Sequence, residues 1–460
     1  MTRDCRTRSR TAPLLCALSL ASLCWCTRAR AFIYPEHRQI GLAAWSKLSP
    51  EARTYYASLW QLARSDLHDT LCADPVAVRG PSRGRGDCID LADWPAIAGD
   101  HSCSPLELVT DVLPSAWIHD VARVSAEVER ALRDAENAEA RENVWITSNL
   151  DLQGVDDAYV TRAGGNNAHF LLSRAGSSLR EFVAESTRQG APLNALGLYV
   201  QYHAAALRLA SAIGGESSPA SAALAQRVLA LEAYALHFLQ DMFASGHVAG
   251  TWGDAATRKG THDYYCEHGY STSDWTGRDL ILFGDAHMRA ADLERAATAI
   301  AWSMRQVFEV ARVPRAPGTD WAQLDAQALE VATLDSCNQL EHPATIVLDR
   351  GESDAIEALL ATTPKPGYGA DSVGWPRYRA DFGPFFGIES GISVGGAFGS
   401  YGGNFGRAVA ELGIGLRVGF GLEGVVASLN TGTMFLHLGL VRQSEQVDLC
   451  GEPDCGHTLG

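Results

Sequence analysis

The chain has 460 residues, is 46% hydrophobic and 20% charged, and carries a net charge of −16. This composition excludes a disordered chain and is long enough for two or three domains, each with its own core. The acidic balance argues against a broad basic surface that grips nucleic acid. It does not exclude phosphodiester chemistry, because bound metal ions supply positive charge locally.

Residues 1–31 read as a secretory signal. Arg3, Arg6, Arg8 and Arg10 precede the apolar stretch "PLLCALSLASLCWC", and Ala29-Arg30-Ala31 has the small-x-small pattern of a cleavage site. Cleavage there makes Phe32 the mature N-terminus of an exported protein: periplasmic, outer-membrane-associated or extracellular. An N-terminal membrane anchor is the alternative, and Arg28 and Arg30 are awkward for either. Cys24 lacks the small preceding residue of a lipoprotein site. The cut leaves seven cysteines, Cys72, Cys88, Cys103, Cys266, Cys337, Cys450 and Cys455, which suit a few disulfides and at least one odd thiol. Cys72–Cys88 or Cys88–Cys103, and Cys450–Cys455, are plausible pairs, and no spacing reads as a thiolate zinc site. No later apolar run is long enough for a transmembrane helix.

Residues 32–80 are predicted helical, with Trp45, Leu48, Leu59, Trp60 and Leu62 in the core, followed by the loop "VRGPSRGRGD" at 78–87. Helical pattern resumes over 105–143, breaks at "NLDLQGVDD", and returns over 176–213. A long helix is expected over 219–246, entered through "SSPAS", and others over 287–312, 320–334 and 353–361. No strand-like alternation precedes residue 365. From "PKPGYG" onward the pattern changes to a period of two with glycine breaks, as in "FFGIESGISVGGAFGSY" and "RAVAELGIGLRVGFGLEG". The expected fold is therefore mainly α, a multi-helix domain over 32–364, with a glycine-rich β-strand region over 365–460. That region is either a small antiparallel sheet packed on the helices or strands of an outer-membrane-type barrel. About four to six strands cannot close a barrel alone.

The chemistry concentrates in "ALHFLQDMFASGHVAG" at 235–250. His237 and Asp241 are four apart and share a helix face, among Leu231, Tyr234, Phe238, Leu239 and Met242. Alone, the pair reads as a core histidine with its partner. His247 six residues on, then His262, Glu267 and His268 in "GTHDYYCEHG", shift the balance to metal binding, because clustered His and acidic ligands suit hydrolytic zinc. "GGNFG" and "GIGLRVGFG" are weak matches to any dinucleotide motif.

The pattern His-x3-Asp-x5-His, followed about fifteen residues on by His-x3-acid, resembles the superfamily of zinc-dependent phospholipases C and single-strand-specific nucleases. The resemblance covers roughly 32–275 and is patchy between 40 and 230. It implies a mostly helical, exported hydrolase holding three Zn2+ ions. Members bind zinc through the mature N-terminal residue and a nearby histidine, which places Phe32 and His37 of "FIYPEH" among the ligands. The remaining pair is Asp93 of "LADWPAIAGDHS" with His169 of "NNAHFLL"; Asp93 with His101, or Asp157 with His169, are the alternatives. For His101 a structural hydrogen bond beside Cys103 is an equal reading. The family's carboxylate position falls on Cys266, with Glu267 one place later and His268 a further candidate.

The resemblance thus implies Asp241 bridging two zincs, one with Asp93, His169 and His237, the other with Phe32 and His37. His247, His262 and Glu267 would hold the third, and Asp93 would orient the attacking water. The implied substrate is a phospholipid, with membrane association through the C-terminal strands and no stable nucleic-acid complex. A nuclease or nucleotide phosphohydrolase is the alternative, with Tyr264, Tyr265, Trp252 and Trp275 as a base-stacking pocket. A non-catalytic outer-membrane-associated protein is the third reading, supported by Cys266.

Overall fold

The computed structural model describes residues 32–77, 88–159, 162–163, 167–172, 174, 176–213, 222–249, 262–313, 321–367, 383–397, 407–421 and 441–444. It is mainly α-helical. Helix α1 (Tyr34–Lys47) is followed by α2 (Pro50–Arg64), whose N-cap Ser49 accepts from the Ala52 amide ahead of Pro50 in the first turn. Leu48, Leu59 and Trp60 are buried as expected, with Trp45 and Leu62 partly buried against them. The single turn α3 (Trp94–Ile97) precedes α4 (Trp117–Asp134), which buries Ile118, Val121, Val124, Val128 and Leu132 along one stripe.

Three elements depart from their predicted bounds. Helix α5 (Ala138–Val155) runs through most of the segment expected to break it. Asp151 and Gly154 sit on its exposed side while Leu152 packs inward, so the polar residues do not interrupt it. The run 176–213 divides into α6 (Leu179–Ser186) and α7 (Ala195–Ile213), separated where Gly190 takes φ +72° and Pro192 follows. Helix α8 (Ala222–Asp241) stops at Asp241, and His247 belongs to the next short helix, α9 (Ser245–Ala249).

Helix α8 is the centre of the body. Every residue from Val228 to Asp241 is buried, as expected of a helix apolar on all sides. It packs against α7, α2, α3 and, further on, α11 (Ala290–Ala311). A buried network ties three of these together: Glu232 on α8 pairs with His203 Nδ1 on α7 (2.8 Å) and accepts from Ser303 Oγ on α11 (2.8 Å). Helix α10 (His262–His268) follows α9 in the described chain.

A hairpin, β1 (Tyr270–Ser273) with β2 (Asp279–Leu282), corrects the expectation that no strand precedes 365. Its turn is closed by Asp274, whose Oδ1 accepts from the Thr276 and Arg278 amides, with Gly277 at φ +91°. Helices α12 (Trp321–Ala332) and α13 (Arg350–Leu360) lie close to their predicted positions. The residues after α13 stay attached to the body, because Lys365 N donates to Ser273 O and Arg174 to Pro366 O.

Beyond them, β3 (Gly383–Ala397) pairs antiparallel with β4 (Arg407–Gly421), and β4 with β5 (Val441–Ser444). The choice between packed sheet and barrel, the pair Cys450–Cys455 and the "GGNFG" stretch lie outside the described residues. Among the described residues no helix is long and apolar enough to cross a membrane.

Two disulfides are present among the described residues. Cys72–Cys88 is one of the two pairings expected for Cys88, while Cys103 bonds Cys337 across 234 positions rather than Cys88. Both fit an oxidising compartment. Replacing Cys103 and Cys337 together by alanine should lower stability by about 3–5 kcal/mol, since so long a loop restricts the unfolded chain strongly. Urea denaturation of the variant beside the parent chain measures this.

Candidate metal centre

Helix α8 ends on a buried acid. Asp241 is its last residue, where the negative end of the helix dipole adds to the cost of a carboxylate. Four histidines converge on it, all at most 1% exposed. His169 Nδ1 is 2.8 Å from Oδ2, His237 Nε2 3.3 Å, His247 Nδ1 3.9 Å, and His37 Nε2 is 3.7 Å from Oδ1. They arrive from four places: the first turn of α1, a 3-10 turn at Asn167–His169, the end of α8, and α9. His237 and Asp241 meet because four residues bring side chains together on one helix face.

The outer contacts select which ring nitrogen faces inward. The Pro95 carbonyl accepts from His237 Nδ1 at 2.8 Å, so Nε2 is left with its lone pair toward His169 and Asp241. Gln240 Oε1 likewise accepts from His37 Nδ1 at 2.5 Å, which turns His37 Nε2 toward Asp241. Tying down the second nitrogen in this way is how proteins orient histidines that ligate metals.

Charge points the same way. Burial drives His37 down to about 3, and it pushes His237 and His169 below the ordinary range as well. Burial also holds the Asp241 carboxyl well above its usual value. Every ion-pair partner of Asp241 among the described residues is a histidine, and burial keeps three of them, His37, His169 and His237, neutral. His37 Nε2, His169 Nε2 and Asp241 Oδ1 are buried without a hydrogen-bond partner. Neutral imidazoles around an uncompensated carboxylate are the donor set a divalent cation fits.

Two metal-capable groups share this centre: His37, His237 and Asp241, and Asp100, His169 and His237. A third group is His262, Cys266 and Asp285, with His262 also driven down to about 3 by burial. A fourth, Cys103, Asp335 and Cys337, is spoken for by the disulfide. His247 lies between the first and third groups, its ring 5.0 Å from that of His262 and stacked on Phe170.

Some expected ligands stand elsewhere. Asp93 Oδ1 is 3.0 Å from Arg38 Nε and Oδ2 accepts from the Asp90 amide, which fastens α1 to the start of α3. His101 pairs with Asp156 at 2.9 Å and stacks on Tyr159, which is the structural reading of that residue. Asp157 is exposed; its neighbour Asp156 takes the buried position. Glu267 is paired with His268 at 3.9 Å on a partly exposed face, away from the third group. Phe32 is buried, its ring edge-on to His37, and its backbone hydrogen-bonds the His37 side chain.

Asp100 and Asp285 are the acids that sequence reasoning missed. Each directly follows a glycine, in "AGDHSC" and "FGDAH". A Cβ on Gly99 would stand 2.5 Å from His237 Nε2, and one on Gly284 2.9 Å from Cys266 Sγ. The Gly-Asp steps therefore bring backbone against ligand side chains, a signal that becomes legible only once those side chains are known to be near.

Gly99 also has φ +77°, so Gly99→Ala combines strain with a clash and should cost about 2–4 kcal/mol, measurable by thermal or urea melts. The metal-free chain should also lose stability in acid. Histidines 37, 169, 237, 262 and 342, whose folded values are lowered, contribute fully above their ordinary 6.5, and that contribution is lost as pH falls below it. Asp241, Glu36 and His203, with their values raised, work in the opposite sense, three groups against five. A lower melting temperature at pH 5.5 than at pH 7 in the presence of chelator is the expected result.

Comparison with protein-family models, with curated proteins and with solved structures finds no match to this chain, so its chemistry rests on the constellation itself.

Proposed function

We propose that this chain is an exported zinc-dependent phosphodiesterase with a phospholipase C-like reaction, releasing phosphorylated head groups from phospholipid. One observation carries the reading: histidines 37, 169, 237 and 247, spread over more than two hundred positions, surround one buried carboxylate that no lysine or arginine compensates among the described residues. His37, His237 and Asp241 would hold one ion, and Asp100 and His169 with His237 a neighbouring one. The zinc ligation expected of Asp93 passes to Asp100 in this reading. When bound, zinc supplies Lewis acidity toward a phosphoryl oxygen and brings the pKa of water near neutrality.

The chain's own residues prepare the site. Pro95 and Gln240 fix the rings of His237 and His37, so their orientation costs no ordering at the moment of binding. Phe32, Phe170 and Phe238 pack around the histidines and exclude water from their outer faces. Asp100, 5% exposed beside His169, is the acid placed to accept a proton.

The lipid reading is favoured over a nuclease. The chain is strongly acidic, and two of the aromatics suited to stacking bases are engaged: Tyr265 is buried, and Trp275 stacks on Phe182. Trp252 and the Tyr264 side chain lie outside the described residues.

Metal analysis combined with paired assays tests this. The purified chain should carry two or more zincs and hydrolyse short-chain phosphatidylcholine, with activity lost on chelation. His237→Ala and Asp241→Ala should each release zinc and reduce the rate on the order of 1,000-fold, the several kcal/mol of charge stabilisation at about 1.4 kcal/mol per decade. Cleavage of single-stranded DNA alone would move the assignment to a nuclease, and zinc bound without hydrolysis would make the protein non-catalytic. Asp100→Asn should weaken zinc retention, whereas Asp93→Asn should lower stability and leave zinc content unchanged.

A further inference from the structure

We infer that His203 is an imidazolium at neutral pH, and that its second proton is a clasp tying the helix that carries His237 and Asp241 to α7 and α11. This goes beyond the phosphodiesterase reading and does not rest on it. His203, Glu232 and Ser303 are buried, at 0%, 2% and 0% exposure, and come from α7, α8 and α11. The hydrogen-bond roles follow by elimination. Ser303 has one O–H and donates it to Glu232 Oε1 at 2.8 Å. Ser303 Oγ, 3.1 Å from His203 Nδ1, is therefore an acceptor there, as is Glu232 Oε2 at 2.8 Å. Nδ1 carries a proton. Gln306 donates its amide nitrogen to the Ala355 carbonyl at 2.8 Å, which turns Oε1 toward His203 Nε2 at 2.9 Å. Nε2 carries a proton as well, and a ring with hydrogen on both nitrogens is a cation.

The trio is not a nucleophile arrangement, since the serine proton goes to the carboxylate and not to the imidazole. It is a charged pair sealed in the core. Tyr199 stacks on the His203 ring, centroids 5.2 Å apart, and its hydroxyl donates to Ser303 at 3.4 Å. The other ionisable groups facing the pair are Tyr55 and Tyr56 on α2 and Glu352 on α13, which is itself bonded to Arg208 of α7 at 2.7 Å. Burial on its own would lower His203. The Glu232 charge, the hydrogen bonds to Glu232 and Gln306, and the more distant Glu352 outweigh it and hold His203 above its ordinary 6.5. A raised folded value adds stability that is complete below 6.5 and is lost as pH rises through that raised value. Loss of the proton leaves one ring nitrogen facing only acceptors, an unmade hydrogen bond in a buried site. Glu232 precedes His237 and Asp241 on the same helix, so the clasp sets how firmly α8 presents the buried carboxylate.

Nitrogen NMR of the full chain, labelled with nitrogen-15 at histidine, tests this without any substitution. A ring at its ordinary 6.5 is about one-tenth protonated at pH 7.5, whereas one ring should show protons on both nitrogens there. That signal should be missing from His203→Gln, and its titration midpoint should move down in Glu232→Gln. The melting temperature of the parent chain should fall more steeply between pH 7 and pH 9 than that of His203→Gln, in which nothing at position 203 titrates. Rings that all carry a single proton at pH 7.5 in the parent chain would overturn the inference, whether or not the variants fold. A doubly protonated ring that persists in His203→Gln, a midpoint unmoved in Glu232→Gln, or equal slopes for the two chains would also overturn it.

Discussion

The Asp241 carboxylate is the constraint around which the molecule is arranged. It is fully buried, at the negative end of the helix that forms the core, and burial keeps its neighbours His37, His169 and His237 neutral. A folded chain tolerates such a group either by keeping it protonated, as its raised value implies for the metal-free chain, or by supplying positive charge beside it. Helix α8 could have been apolar to its tip at no cost to packing. It ends instead on His237 and Asp241, two members of a group that could hold a metal ion.

Three consecutive residues at the start of α1 tie the frame together. Glu36 holds the loop that presents Asp285, His37 faces Asp241, and Arg38 binds Asp90 and Asp93 at 2.7 and 3.0 Å. One helical turn thereby locates both metal-capable regions and the segment that supplies Pro95, Gly99 and Asp100. Because these contacts radiate from a single rigid turn, displacing α1 would loosen every part of the site together.

Glycine does the complementary work. Gly99, Gly246 and Gly284 each stand where a methyl group would collide with a metal-capable side chain. Close approach of backbone to these groups fills the volume around them without polar side chains that would compete for the ion. The hairpin β1–β2 leads into Gly284 and Asp285, so a feature with little apparent role in the core has the task of aiming a carboxylate.

Local periodicity was enough to read much of this from the chain. The four-residue step from His237 to Asp241 and the helical stripes before residue 365 depend on neighbours near in sequence, and the same nearness made Cys72 one of two candidate partners for Cys88. The hairpin was within reach as well, since Leu280 and Leu282 are buried while Asp279 and Ile281 are exposed. Four-residue strands are too short for that alternation to stand out in the sequence. Tertiary structure alone decided that Asp100 and Asp285 stand beside the histidines, that Asp93 is spent on Arg38, and that Cys103 reaches Cys337. Those outcomes depend on which distant segments pack together. Helix and strand geometry constrains a residue's near neighbours in sequence, whereas a cluster drawn from separate segments is set by how the helices close around α8.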